Sequence, residues 1–67
     1  METIKVNSSN IKSIFYDEQK SELLVFFHSG GLYKYFDVEE TNIKKLKKEE
    51  NKTKYIKENL LRFTKIY

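Results

Sequence analysis

The first half of the chain alternates short apolar runs with polar separators. Three runs are rich in β-branched and aromatic residues and have the length of strands, namely Ile11 to Tyr16, Leu23 to Phe27 and Leu32 to Phe36. The polar stretch Asp17 to Glu22 separates the first two runs, and Ser29 to Gly31 separates the second two. Both separators are typical of hairpin turns, since glycine and short polar residues tolerate the backbone angles of tight turns. We therefore expect three antiparallel strands, with Thr3 to Val6 as a candidate fourth.

Beyond Val38 the spacing of the apolar residues changes to the helical period. Asp37 followed by Glu40 forms a variant of the capping box, which predicts a first helix from residue 38 or 39 to residue 50. A second helix is predicted over residues 53–67, because apolar side chains recur there at helical spacing, at Ile56, Leu60, Phe63 and Tyr67. The order of elements predicts an α+β fold, in which a small antiparallel meander of three to four strands is followed by two helices packed on the sheet.

The composition fits one small domain covering residues 1–67. A chain of this length buries only about 60% of the surface that its unfolded form exposes, so the five Phe and five Tyr must supply much of the core. Cysteine is absent, which excludes disulfides and thiolate metal sites. The sequence shows no signal-peptide core and no apolar stretch of membrane-spanning length, so we expect a cytoplasmic protein that does not enter membranes. The absence of Pro and Ala beside many Lys, Asn and Ile is a bias expected of an AT-rich genome or its phages.

The positive charge is concentrated in the second half of the chain. Residues 1–38 carry a net charge of −1, whereas residues 39–67 carry nine Lys or Arg against five acidic residues, a net charge of +4. This asymmetry is the electrostatic pattern of a protein that binds a polyanion. It is equally the pattern of an ordinary lysine-coated helical surface, and the sequence does not decide between the two.

Few side chains in the sequence are suited to catalysis or metal binding. His28 is the only histidine, which excludes a site with several histidine ligands within one chain, and its place at a hairpin end is typical of a solvated turn residue. Ser8 and Ser9 have no evident base beside them, and Gly30 and Gly31 lack the spacing of a phosphate-binding loop. We therefore expect a binding module without enzymatic activity, cofactor or metal.

An ordered set of residues matches the pattern of a known family. The set comprises Val6, Ser8, Ser9, Ile11, Ile14, Tyr16, Asp17, Leu23, Val25, Phe27, Gly30, Tyr33, Tyr35, Val38, Ile43, Leu46, Tyr55 and Leu60. With it the chain resembles the KTSC domain family, which is named for its occurrence at the C-terminus of some lysyl-tRNA synthetases and has a central Tyr-x-Tyr motif. Tyr33, Lys34 and Tyr35 match that motif. The synthetase context implies a role in RNA binding.

Two functions are compatible with these observations. In the first, the protein binds RNA or another nucleic acid, with tyrosine rings stacked on bases and lysines close to phosphates. The residues assigned to this site are Tyr33, Tyr35, Lys34, Lys44, Lys45, Lys47, Lys48, Lys52 and Lys54. The alternative is a protein-interaction module, such as a phage or host regulatory factor or a homodimer, that docks through an apolar sheet face. Leu24, Phe26 and His28 would share that face, because side chains alternate along a strand.

The face that carries Tyr33 and Tyr35 depends on the length of the preceding hairpin loop. With a two-residue loop the tyrosines join Leu24 and Phe26, and with a three-residue loop they join Val25 and Phe27 in the core. We expect a largely structural role for the pair. Tyr35 is predicted to be the more buried, and Tyr33, next to the glycine turn, the more exposed.

Overall fold

The chain folds into one antiparallel sheet and two helices. In this computed structural model, which describes residues 1–67, the elements are β1 (Glu2–Ile4), β2 (Ile11–Asp17), β3 (Glu22–Phe27), β4 (Leu32–Tyr35), α1 (Glu40–Lys48), α2 (Lys52–Asn59) and β5 (Phe63–Lys65). The spatial order of the strands is the same as their order in the chain. The predicted α+β fold is confirmed, and the sheet has a fifth strand that follows the helices.

The hairpin between β3 and β4 settles the orientation of the two tyrosines. The Phe27 amide donates a hydrogen bond to the Gly31 carbonyl oxygen at 2.9 Å, which leaves a loop of three residues, 28–30. Gly30 has a φ angle of 100°, a conformation that glycine adopts without steric cost. In the resulting register Tyr33 lies opposite Val25 and Tyr35 lies opposite Leu23. The three-residue alternative is therefore the one that the structure adopts.

A bulge in β2 keeps two isoleucines on the same side of the sheet. Ile11 pairs with Phe27 and Ser13 pairs with Phe26, so β2 has one extra residue at this point. Without the bulge, Ile11 and Ile14 would face opposite sides, because they are three residues apart and side chains alternate. Both are fully buried, with 1% and 0% of their surface exposed.

The core lies between the helices and one face of the sheet, called here the inner face. Twelve residues are buried, and all of them have largely apolar side chains, namely Ile4, Ile11, Ile14, Tyr16, Leu23, Val25, Tyr35, Val38, Ile43, Leu46, Ile56 and Leu60. No helix packs on the opposite, outer face, where Phe26 is 36% exposed. Neither α1 nor α2 has the length and apolar character needed to cross a membrane.

Tyr16 ties the sheet to the chain segment that enters α1. Its hydroxyl donates a buried hydrogen bond of 2.8 Å to the Val38 carbonyl oxygen. Burial raises the pKa of the Tyr16 hydroxyl above its ordinary value, and the nearby carboxylates of Glu40 and Glu18 raise it further. The hydroxyl is therefore kept protonated and able to donate.

The start of α1 differs from the predicted capping box. The N-cap is Glu39, and its amide donates a hydrogen bond of 3.0 Å to the Asn42 side-chain oxygen. Asp37, the predicted cap, instead has a positive φ of 55° and lies in the bend before the helix. The capping box therefore lies two residues later than predicted, because the Asn42 side chain supplies the acceptor that a Glu or Gln supplies in the usual motif.

The predicted second helix is wrong over its second half, residues 60–67. The α2 helix ends at Asn59, and residues 63–65 return as β5 to pair with the edge of β4. Phe63 and Tyr67 are 54% and 81% exposed and do not join the core, whereas Ile56 and Leu60 do. The segment is rich in Phe, Thr, Ile and Tyr, which favour strands, and pairing satisfies backbone groups of β4 that would otherwise lie on a free edge.

Candidate functional site

An open groove, here called the aromatic groove, lies on the inner face beside the C-terminal end of α2. Its volume is about 1050 Å³. Tyr33, Tyr35 and Phe63 line it from strands β4 and β5, and Lys57 and Leu60 line it from α2 and the residue that follows. The hairpin loop between β3 and β4 closes one end.

The groove exists because the helical layer is shorter than the sheet is wide. The α2 helix has only eight residues, a length of about 12 Å. It buries Ile56 and Leu60 but leaves the inner side of β5 uncovered. Phe63 is consequently 54% exposed, although Tyr35 opposite it on β4 is only 5% exposed.

Four aromatic rings form a continuous cluster along the groove. The ring centroids of Tyr33 and Tyr35 lie 6.5 Å apart with an angle of 27° between the planes, so these rings are stacked. Phe63 lies 5.8 Å from Tyr33 and 5.4 Å from Tyr35. Phe27 meets Tyr33 edge-on at 5.4 Å. Such contacts stabilise the cluster beyond the area that it buries, and they hold Phe63 and Tyr33 in fixed orientations at the groove.

The charged side chains that line the groove are all positive. Lys57 and Lys65 both line it, and neither side chain forms an ion pair within the chain. No Asp or Glu side chain lines the groove. Lys65 lies opposite Tyr33 in the pairing of β4 with β5, so a cation and an aromatic ring are neighbours on the same face. This combination favours an anionic ligand that has flat rings.

Two details fix the tyrosines of the cluster. Burial raises the pKa of the Tyr35 hydroxyl, and the neighbouring Tyr33 raises it further, so Tyr35 stays neutral. A Cβ atom on Gly31 would lie 3.2 Å from Cε1 of Tyr33, which is tighter than an ordinary contact. Glycine at this position therefore lets the Tyr33 ring lie close to the hairpin backbone.

Comparison with family models shows that residues 7–62 match the KTSC domain. The chain belongs to the KTSC domain family. A search of the curated proteins finds no match. The matched segment of this KTSC domain includes Tyr33, Tyr35 and Lys57, whereas Phe63 and Lys65 lie just beyond it. The groove is thus built from the matched segment together with the strand that follows.

The structure separates the predicted tyrosines of this KTSC domain from the predicted lysines. Tyr33 and Tyr35 line the groove, with Tyr35 buried and Tyr33 half-buried, as predicted. Lys34 points to the outer face, where its Nζ lies 3.7 Å from Glu22. The remaining predicted lysines lie on the helices, outside the lining of the groove, and are Lys44, Lys45, Lys47, Lys48, Lys52 and Lys54.

Two of these helical lysines already have partners within the chain. Lys47 forms an ion pair with Glu2. The Lys52 ammonium group donates a hydrogen bond of 2.7 Å to the Glu49 carbonyl oxygen and caps the end of α1. Lys44, Lys45, Lys48 and Lys54 form no ion pair and are exposed. Lys44, Lys45 and Lys48 lie within one turn of α1 and form a basic helical surface that is distinct from the groove.

The residues predicted for a protein interface divide between two places. Leu24 and Phe26 lie on the outer face, as alternation along β3 predicts, and Phe15 and Leu32 pair with them across β2 and β4. His28 lies in the hairpin loop and lines a small polar cleft next to α2. His28 therefore does not belong to the apolar outer face.

Sequence reasoning missed three residues of the groove. Phe63 and Lys65 were assigned to a helix, so their position opposite Tyr35 and Tyr33 was not anticipated. Lys57 was counted only as part of the charge of the second half. The local signal for a strand is only the strand-forming composition of Phe63, Thr64, Ile66 and Tyr67, which the helical spacing of the apolar residues outweighs.

Proposed function

We propose that this KTSC domain binds single-stranded RNA in the aromatic groove and has no catalytic activity. The observation that carries the proposal is the exposed Phe63 ring, held against Tyr33 and Tyr35, with two unpaired lysines beside it and no acidic side chain. Aromatic platforms flanked by cations are how proteins bind single strands, because every base has a flat face and every nucleotide a phosphate. The occurrence of the family in some lysyl-tRNA synthetases is in keeping with RNA as the ligand.

The exposed ring faces favour a single strand over a duplex. Bases in a duplex are stacked on one another and are not available to a protein side chain, whereas those of a loop or an end are. The lysines would add an electrostatic contribution that weakens as salt increases, because bound phosphates release their counterions. The basic helical surface of α1 would extend the electrostatic attraction without contacting bases.

A pair of phenylalanine variants tests the proposal. Phe63→Ser removes the exposed ring of the groove, and Phe26→Ser removes a partly exposed ring from the outer face as a matched control. We expect Phe63→Ser to weaken binding of a fluorescein-labelled single-stranded RNA by about 1 to 3 kcal/mol in an anisotropy titration. Phe26→Ser should bind as the wild type does. Equal affinities of Phe63→Ser and wild type, or no RNA binding by the wild type, would contradict the proposal.

The outer face supports a second candidate function, self-association. Four apolar side chains lie side by side on it, from Phe15 on β2 to Leu32 on β4. Phe26 is 36% exposed, and Phe15, Leu24 and Leu32 are half-buried. Lys34 and Glu22 lie next to these side chains on the same face. A face that carries both charges beside an apolar centre complements itself when two copies meet about a twofold axis.

Sedimentation velocity at increasing protein concentration tests self-association. We expect a wild-type monomer–dimer equilibrium that Phe26→Ser shifts to the monomer with little change in melting temperature. Phe63→Ser serves as the control and should dimerise normally. A wild type that stays monomeric at millimolar concentration, or a large thermal destabilisation by Phe26→Ser, would exclude this use of the outer face.

A further inference from the structure

A second, smaller cleft opens between the hairpin loop and α2, and it continues the aromatic groove. This polar cleft has a volume of about 350 Å³ and is lined mainly by Asn10, His28, Ser29, Thr53 and Lys57. Phe27, Ser29 and Lys57 line both the polar cleft and the aromatic groove. A ligand in the groove could therefore reach the cleft without leaving the protein surface.

The side chains of the polar cleft are hydrogen-bond donors without partners. The side chains of Asn10, His28, Ser29 and Lys57 form no hydrogen bond within the chain, and Lys57 forms no ion pair. No Asp or Glu lines the cleft. Amide, hydroxyl, imidazole and ammonium groups gathered without a carboxylate match the acceptor oxygens of an anion.

Thr53 provides an independent observation at the same place. Its Oγ1 is the one buried side-chain oxygen of the protein that has no hydrogen-bond partner. Buried hydroxyls without a partner are rare in folded proteins and call for an explanation. Thr53 is one of the residues that line the cleft, so an anion bound there is a candidate partner for this hydroxyl. Thr53 and Lys57 lie one helical turn apart on α2, so both can approach the same anion.

We propose that the polar cleft binds a phosphate group, which in the bound state is a backbone phosphate of the RNA whose bases stack in the aromatic groove. The inference that the phosphate belongs to RNA rests on the proposed function. The inference that the cleft binds a phosphate group rests only on the side chains that line it. Lys57 supplies the charge at the junction of the two sites. Thr53, His28 and Ser29 supply directed donors that a free lysine on the surface lacks.

The test titrates 15N-labelled protein first with inorganic phosphate and then with a short single-stranded RNA. We expect phosphate to shift the amide signals of Asn10, Ser29 and Thr53 along saturating curves. Lys57→Gln should weaken phosphate binding by about tenfold, the effect of losing one charged hydrogen bond. Thr53→Val, which removes only the hydroxyl, should weaken phosphate binding several-fold without lowering the melting temperature. Lys54→Gln, on the same helix but outside the cleft, is the control for lost charge and should leave phosphate affinity unchanged.

The outcomes separate the two proposals. The phosphate site is wrong if phosphate shifts no signals in the cleft, or if Lys54→Gln and Lys57→Gln weaken phosphate binding equally. In either case the groove function still holds if RNA affinity depends on Phe63. If Thr53→Val weakens phosphate binding but leaves RNA binding unchanged, the cleft binds free phosphate, and the proposed contact with the RNA backbone is wrong. The proposal requires that Thr53→Val and Lys57→Gln each weaken the binding of both phosphate and RNA.

Discussion

Tyr33 and Tyr35 lie two residues apart on the same face of β4, and the structure predicts losses of stability of different size for replacing them. Tyr35 is 5% exposed, belongs to the core cluster and contacts the rings of Tyr33 and Phe63. Truncating a buried aromatic residue to alanine typically costs about 3 to 5 kcal/mol of unfolding free energy. Tyr33 is half-buried at the groove, so its truncation removes less buried area, and we expect a cost of about 1 to 2 kcal/mol.

These costs are large relative to the stability of so small a domain. At about 0.05 to 0.15 kcal/mol per residue, the 67 residues have an unfolding free energy of about 3 to 10 kcal/mol. Tyr35→Ala should therefore lower the melting temperature by at least about 12 °C, since each kcal/mol corresponds to about 4 to 8 °C in a domain of this size. Tyr33→Ala should lower it by about 5 to 15 °C and leave a folded protein at room temperature.

Thermal melts followed by far-UV circular dichroism measure the difference, because the chain has no tryptophan to serve as a fluorescent probe. Tyr35→Phe is the matched control, which keeps the ring and should be much more stable than Tyr35→Ala. RNA titration of the folded Tyr33→Ala variant then isolates the contribution of that ring to binding. A Tyr35→Ala variant that melts with the wild type, or a Tyr33→Ala variant that is the less stable of the two, would refute the assignment of Tyr35 to the core.

Three further predictions follow from single features of the structure. Burial raises the pKa of Tyr16 and Tyr35 in the folded state, so the unfolded state loses these protons first as the pH rises. The stability that the two hydroxyls contribute should be constant below about pH 10 and fall above it. Urea titrations at pH 9 and 11 should show a smaller fall in Tyr16→Phe than in the wild type. Gly30→Ala should lower the unfolding free energy by about 1 to 2 kcal/mol, because a φ of 100° is strained for alanine. The added Cβ would meet no atom within 4 Å, so the cost comes from the backbone alone. An unfolding free energy equal to that of the wild type in a urea titration would contradict this. Replacing Lys44, Lys45 and Lys48 with Gln should reduce the salt dependence of RNA binding, whereas Phe63→Ser should keep it. An unchanged slope in anisotropy titrations would exclude the basic helical surface from binding.

The meander of β2, β3 and β4 could be predicted from the sequence because its signals are local. Each strand is a continuous run of strand-forming residues, and each turn has its own turn chemistry. Alternation did not predict the bulge in β2. Its only trace in the sequence is the three-residue spacing of Ile11 and Ile14, which strict alternation would place on opposite faces. The glycine turn left two registers open because the alternatives differ by a single residue.

The fifth strand could not be predicted because its stability depends on a distant partner. Ile56, Leu60, Phe63 and Tyr67 have the spacing of a helix, and within that local window a helix is the better interpretation. The edge of β4, about thirty residues earlier in the chain, decides the outcome by offering unpaired backbone groups to residues 63–65. The error moved the candidate site as well, because Phe63 and Lys65 reach the tyrosines only as members of a strand.

The placement of β5 also explains how the two tyrosines can contribute both to the core and to the proposed binding site. Side chains two residues apart on a strand share a face and lie about 7 Å from each other. Tyr35 belongs to the part of that face which the helical layer buries, and Tyr33 to the part beside the hairpin where the layer ends. Because β5 adds Phe63 opposite Tyr35, the buried ring supports an exposed one, and the core extends into the groove without a break. Substitutions that loosen Tyr35 should therefore weaken ligand binding through Phe63 even in variants that remain folded.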